Sequence, residues 1–189
     1  MMGQIIQVCG TSGSGKSHAV RALVSMAASS ERQHVEGRRL PIGYVLRVPE
    51  VTEEIYVLGS YENPTGGCDT ISSMDLIDDI LRREWRGGRS VVLEGLLVRN
   101  FVRGLPLYRE VGSALHVFLL TTPLEQCYAS IRQRQEARGV YGRGTPKNTA
   151  NDQRRHDSYA RRMREAGADV RRVSREELLP AMLRELKNI

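Results

Sequence analysis

Eight consecutive residues, Gly10-Thr11-Ser12-Gly13-Ser14-Gly15-Lys16-Ser17, carry the clearest chemistry in the chain. They fill every fixed position of G-x-x-x-x-G-K-[ST], the pattern of a phosphate-binding loop, or P-loop. Its glycines let successive backbone N–H groups turn inward toward a polyphosphate, and a helix starting behind them adds positive dipole potential. In such a loop Lys16 reaches the β- and γ-phosphates of ATP, the Ser17 hydroxyl ligates Mg²⁺, and His18 flanks the phosphate site. The plainer reading is a Gly/Ser turn before an ordinary helix.

Other residue types suited to the same chemistry are spread along the chain. Val91-Val92-Leu93-Glu94-Gly95 is an apolar strand ending in a carboxylate, placed to orient a metal-bound water or take up a proton. The stretch Gly59 to Thr70 mixes turn formers with side chains able to touch a substrate: Tyr61, Asn63, Thr65 and Asp69. Its Gly66-Gly67 pair permits close backbone approach to a ligand. Asp69 is the first candidate for the base that accepts a proton from a hydroxyl nucleophile, with Glu50 and Glu94 behind it. Asp69 or Thr70 is equally suited to capping the helix that follows. Arg132, Arg134, Arg138, Arg143, Lys147, Arg154 and Arg155 surround a Gly-rich stretch at 139–150. Guanidinium groups there would clamp the charge that builds on a transferring phosphoryl group, Arg134 and Arg138 first among them as an i,i+4 pair, unless they pair with Glu136, Asp152 or Asp157. The four histidines show no metal-ligand spacing.

Placing these groups around one centre requires a parallel sheet wrapped by helices. Strand-like runs span 4–9, 42–48, 54–58, 90–93, 114–120 and 169–173; helix-like runs span 16–29, 72–85, 123–137, 151–166 and 175–186, with a weaker one near 98–110. Residues 42–60 read as a hairpin beside the main sheet, joined at Pro49-Glu50-Val51-Thr52. Thr122 reads as a helix cap with Pro123 in the first turn, and Gly139 and Gly167 as helix terminators.

The 189 residues, 40% hydrophobic and 26% charged, fit one soluble globular domain. No apolar run reaches 18 residues and no signal-like segment opens the chain, so no membrane association is expected. Three widely spaced cysteines argue against a disulfide framework or a zinc site and fit a reducing cytoplasm. The formal charge is +6, carried by 25 arginines and only 3 lysines. Thirteen basic and five acidic residues fall within 132–175, a concentration that suits ATP phosphates or a nucleic acid, against the alternative of a solvated basic helix face.

The P-loop, the carboxylate-ended strand and the late arginine-rich region together resemble the P-loop nucleotide and polynucleotide kinases over essentially the whole chain. The resemblance implies a three-layer α/β fold, a central mainly parallel sheet flanked by helices, and an arginine-rich helical lid at about 132–160. Tyr61-Glu62-Asn63-Pro64-Thr65-Gly66-Gly67-Cys68-Asp69-Thr70 is similar to a stretch of bacteriophage kinases that act on 5-hydroxymethyluracil in DNA. That likeness implies ATP- and Mg²⁺-dependent phosphorylation of a base hydroxymethyl group in host cytoplasm. Gly10 to Ser17 would bind ATP, Ser17 and Glu94 the metal, and Asp69 and Glu94 would lie near the transfer. Glu50, Tyr61, Asn63, Thr65, Gly66, Gly67 and Arg143 would face the acceptor. Few aromatics are available to support a flipped base: Tyr61, Tyr141 and Tyr159 are the candidates. A nucleoside, nucleotide or small-metabolite kinase, a polynucleotide 5′-hydroxyl kinase and a nucleotide-hydrolysing switch or motor are the competing readings. Oligomeric state is left open.

Overall fold

The computed structural model describes residues 2–63, 67–95, 101–139 and 145–187, and for 101–105 the backbone only. Thr65, Gly66, Tyr141 and Arg143 lie outside the described residues. Among the described residues seven strands form one sheet: β1 (Ile5–Cys9), β2 (Ser29–Gln33), β3 (Gly43–Arg47), β4 (Ile55–Leu58), β5 (Ser90–Glu94), β6 (Leu115–Leu120) and β7 (Asp169–Val173). Their order is β2-β3-β4-β5-β1-β6-β7. The five strands β4, β5, β1, β6 and β7 run parallel, and β3 is antiparallel to both its neighbours. Strands buried on both faces favour continuous apolar sequence, and Ile5 to Cys9 is buried at every position and apolar except at Gln7.

Among the described residues six α-helices cover the sheet: α1 (Lys16–Ser25), α2 (Met74–Arg86), α3 (Phe101–Val111), α4 (Leu124–Glu136), α5 (Pro146–Glu165) and α6 (Arg175–Lys187). Alternate strand residues feed two cores. Ile6, Val8, Val92 and Phe118 pack with Val20 and Leu23 of α1 and with Leu178 and Met182 of α6. Ile5, Cys9, Val91 and Leu93 pack with Ile77 and Leu81 of α2, Tyr108 of α3, and Tyr159 and Met163 of α5. This is the expected three-layer α/β architecture. No described helix is long and apolar enough to cross a membrane.

Several local expectations are corrected. The first helix stops at Ser25, and Ser29 opens an unexpected edge strand, β2, paired to β3. The 42–60 hairpin is not beside the sheet but inside it, because β4 pairs in parallel with β5. Helix α2 is capped not by Asp69 or Thr70, which lie in a short 3₁₀ helix, but by the Ser73 hydroxyl, which accepts from the Leu76 amide. Thr122 caps nothing: Pro123 is the N-cap of α4, and the Thr122 hydroxyl donates to the Ser14 carbonyl at 2.8 Å. Helix α5 begins at Pro146 rather than near 151, because Thr145 caps it through the Asn148 amide and proline suits the first turn. Gly139 and Gly167 end α4 and α5 with φ of 62° and 91°.

Candidate active site

The C-terminal ends of β1 and β5 lie side by side, with Val8 in register with Glu94. This brings the loop after β1 against the carboxylate that ends β5. Around them lies a cleft of about 490 Å³, lined by Lys16, Ser17, His18, Asp69, Glu94, Arg134 and neighbouring residues. Residues from five separate stretches of the sequence therefore meet at one carboxyl-end crevice, where open α/β sheets bind ligands.

The loop is built to leave donors free. Gly15 holds φ 105° at the N-cap of α1, and no acidic residue enters that helix's first turn. A Cβ on Gly13, itself at φ +81°, would collide with the Cys127 carbonyl, so the loop closes only with glycine there. Lys16 folds back, its Nζ donating to the carbonyls of Gly10 at 2.5 Å and Thr11 at 3.1 Å. The Ser14 hydroxyl is buried with no partner among the described residues. His18 is exposed at the cleft wall.

The Ser17 hydroxyl donates to Oε1 of Glu94 at 2.8 Å. Glu94 is 6% exposed, and its other oxygen, Oε2, has no partner among the described residues. Burial raises the Glu94 carboxyl above its ordinary value, and the Ser17 bond and the Lys16 charge only partly offset this. A hydroxyl beside a buried, half-satisfied carboxylate suits a hard divalent cation, which takes oxygen ligands. No group of three or more His, Cys, Asp or Glu able to hold a metal occurs among the described residues. A cation here would rest on Ser17 and Glu94, with phosphate and water completing its shell.

Another wall of the cleft comes from the loop after β4. Gly67 (φ 103°) bridges to Ser60, and a Cβ on it would strike Glu94 Oε1. Asp69, in the 3₁₀ helix Cys68–Thr70, is exposed on the cleft. Tyr61 is almost buried beneath Arg21, whose guanidinium lies 5.9 Å from the ring centroid, and its ring centroid is 6.3 Å from that of Tyr44. Its hydroxyl has no partner among the described residues, and burial, then the Glu94 charge, raises its pKa well above normal. Asn63 is exposed, and its carbonyl accepts from Arg21 at 2.5 Å.

Not every candidate joins the cluster. Glu50 sits in the β3–β4 turn, at the sheet end away from the loop, and is ion-paired with Lys187 at the end of α6. Tyr159 is core: its hydroxyl donates to Gln7 at 2.6 Å and lies 3.3 Å from that of Tyr108. Arg134 lines the cleft, and desolvation, then the like charge of Arg138, lowers its pKa. Arg138 lies beyond the end of α4, so the two are not partners along one helix. Arg132 pairs with Glu136, and Asp157 pairs with Arg172.

Three contributors escaped the sequence reading. The Arg175 guanidinium, at the start of α6, donates to the Gly13 and Ser14 carbonyls at 2.5 and 2.8 Å. Asp152 and His156 on α5 accept from the loop's first limb. Asp152 Oδ2 takes the Ser12 amide and the Thr11 hydroxyl, each at 2.9 Å, and His156 Nδ1 takes the Gly10 amide at 3.3 Å. The readable signal was their place on the α5 stripe that also carries buried Thr149, Tyr159 and Met163.

A glycine cradle, an inward lysine, a serine–carboxylate pair and an exposed acid opposite them define a P-loop phosphotransferase. Residues 5–166 match the AAA domain family (AAA_33), and the chain belongs to it. Over 147 residues it is 42% identical to the 5-hmdU DNA kinase of Pseudomonas phage PaMx11, an alignment that covers 77% of each protein.

Proposed function

We propose that this protein uses ATP and Mg²⁺ to phosphorylate the hydroxymethyl group of 5-hydroxymethyluracil in DNA. The observation that carries the reading is the meeting of Asp69 with Lys16, Ser17 and Glu94 in one cleft, in a chain similar to a phage DNA kinase of that name. Asp69 is the exposed acid of that group, while Glu94 is buried and engaged by Ser17. The acceptor oxygen bonds to the γ-phosphorus as the bond to the β–γ bridging oxygen breaks, ADP leaves, and the hydroxyl proton passes to Asp69. Lys16 and Arg134 supply fixed positive charge to the transferring group. A cation held by Ser17 and Glu94 would neutralise phosphate charge and orient the β- and γ-oxygens.

DNA phosphates have a surface to meet. Arg154, Arg155, Arg161, Arg162 and Arg164 are exposed on α5, which packs against α4 with its own exposed arginines. Phosphate contacts position the strand and the cleft selects the base. The test offers radiolabelled ATP with hydroxymethyluracil-containing DNA, unmodified DNA and free nucleosides. Label confined to the modified DNA is expected. Label on free nucleosides alone would assign a small-molecule kinase, label on unmodified 5′ ends a polynucleotide kinase, and hydrolysis without any labelled acceptor an ATPase.

A further inference from the structure

We infer that Asp152 and His156 are positioning residues for nucleotide binding, sorting the backbone amides of the P-loop into those held back and those offered to phosphate. The loop's N–H groups fall into two sets. On the first limb, the amides of Gly10 and Ser12 point out to His156 Nδ1 and Asp152 Oδ2. The Ser14 amide is satisfied within the loop by the Thr11 carbonyl at 3.1 Å. The amides of Thr11, Gly13, Gly15, Lys16 and Ser17 have no acceptor among the described residues. The last four lie at the mouth of α1, where the unpaired first-turn amides and the helix dipole favour an anion.

The sorting has a physical cost attached to its loss. An amide without an acceptor in a tight glycine loop turns toward whatever anion or water is nearest, and the loop's dihedrals follow it. Two acceptors one helical turn apart on α5 remove that freedom from Gly10 and Ser12. The Thr11 hydroxyl adds a further tie to the same helix, its one proton shared between Asp152 Oδ2 at 2.9 Å and the Thr149 carbonyl at 3.2 Å. His156 is 6% exposed, and burial, then the Lys16 charge, lowers its pKa to about 4, so the ring is neutral and Nδ1 free to accept. With Nδ1 accepting, the proton sits on Nε2, the nitrogen that faces Asp152 Oδ1 at 3.9 Å.

These hydrogen bonds lie on the loop's outer limb, away from the acceptor, so the two states of the nucleotide, bound and reacting, feel them alike. Their removal should therefore raise KM for ATP and leave kcat nearly unchanged. The inference rests on the loop binding nucleotide, not on the identity of the acceptor. Its test is the affinity for a fluorescent, non-hydrolysable ATP analogue measured without DNA. Asp152→Ala and His156→Leu should each weaken binding about tenfold, the scale of one missing hydrogen bond to a charged or buried group. Asp152→Asn and His156→Asn keep an acceptor oxygen near the same place and should restore binding to within about twofold of wild type, by the same logic of partner replacement. Alanine and leucine variants that bind as wild type would overturn the inference. So would asparagine variants as weak as the others, since the helix would then serve only as scaffold. Analogue binding that follows this pattern in a protein that labels no DNA would leave the inference standing and remove the acceptor reading.

Discussion

The Ser17 hydroxyl, on the first turn of α1, donates a hydrogen bond to Oε1 of Glu94, at the end of β5, across 2.8 Å. The bond joins neighbouring strands at the point where a metal-bound polyphosphate would sit, and it leaves Glu94 Oε2 buried with no partner among the described residues. The arrangement sets two opposed expectations for Glu94.

Glu94→Gln should lose activity and gain stability. Its folded pKa is raised, so its contribution to stability is full below the unfolded value of about 4.5 and is lost as pH rises through the folded value. Removing the charge should raise the melting temperature at pH 7 by about 2–4 °C per kcal/mol relieved, a gain that vanishes below pH ~4.5. Phosphoryl transfer should fall by about 10²-fold or more. Calorimetry across pH beside a transfer assay checks both signs.

Gly67→Ala should be more damaging than a loop substitution ordinarily is. Gly67 sits at φ 103°, and an added Cβ would strike the Glu94 carboxylate. That backbone conformation, φ 103° with ψ −161°, costs any other residue about 1–3 kcal/mol, and the displaced carboxylate costs activity besides. Loss of transfer together with loss of Mg²⁺-dependent nucleotide binding is the expected result.

Lys16→Ala should abolish transfer, by about 10²–10³-fold, while the fold persists. Lys16 is only partly buried and its ammonium bonds to loop carbonyls, so circular dichroism and melting should change little. Asp69→Asn should also lose transfer yet retain ATP-analogue affinity, if Asp69 takes the acceptor proton as proposed. Unchanged turnover in that variant would move the proton acceptor to Glu94.

Stability should decline on mild acidification because of His156. Its folded pKa of about 4 is below the unfolded 6.5, so its contribution is present above pH 6.5 and lost as pH falls toward 4. The shift corresponds to roughly 3 kcal/mol at most. Denaturant melts of wild type should weaken over that window, and His156→Asn, which does not titrate, should flatten it.

Binding to hydroxymethyluracil-containing DNA should fall steeply with salt. Replacing Arg154 and Arg155 with alanine should lower affinity for any sequence alike and reduce the log–log salt slope by about one for each phosphate no longer neutralised. Fluorescence anisotropy over a salt series measures the slope directly. An unchanged slope would move the strand off α5.

Much of the frame was legible because local sequence and tertiary role agreed. Asp169 to Val173 forms a strand where its pattern places one, and Lys16 starts the first helix. Edge strand β2 was not legible: Ser29-Ser30-Glu31-Arg32-Gln33 carries no apolar residue and exists because β3 offers it main-chain partners. Two Thr-Pro pairs show the same limit. Thr145 caps α5, but Thr122, with the same neighbour, spends its hydroxyl on the Ser14 carbonyl 108 positions away. Only the packed fold decides between those fates. The same reason hid Asp152 and His156, whose partners lie 140 and more residues upstream.

Helix α5 faces two ways. One side holds the first limb of the phosphate loop, and the other shows five exposed arginines to solvent. A polyanion resting on the outer side and a nucleotide in the loop would thus press on a single stiff rod. Any coupling through that rod must be mutual, each ligand altering the other's grip by one common factor. Occupancy of the outer side would then be felt in the loop, and occupancy of the loop on the outer side.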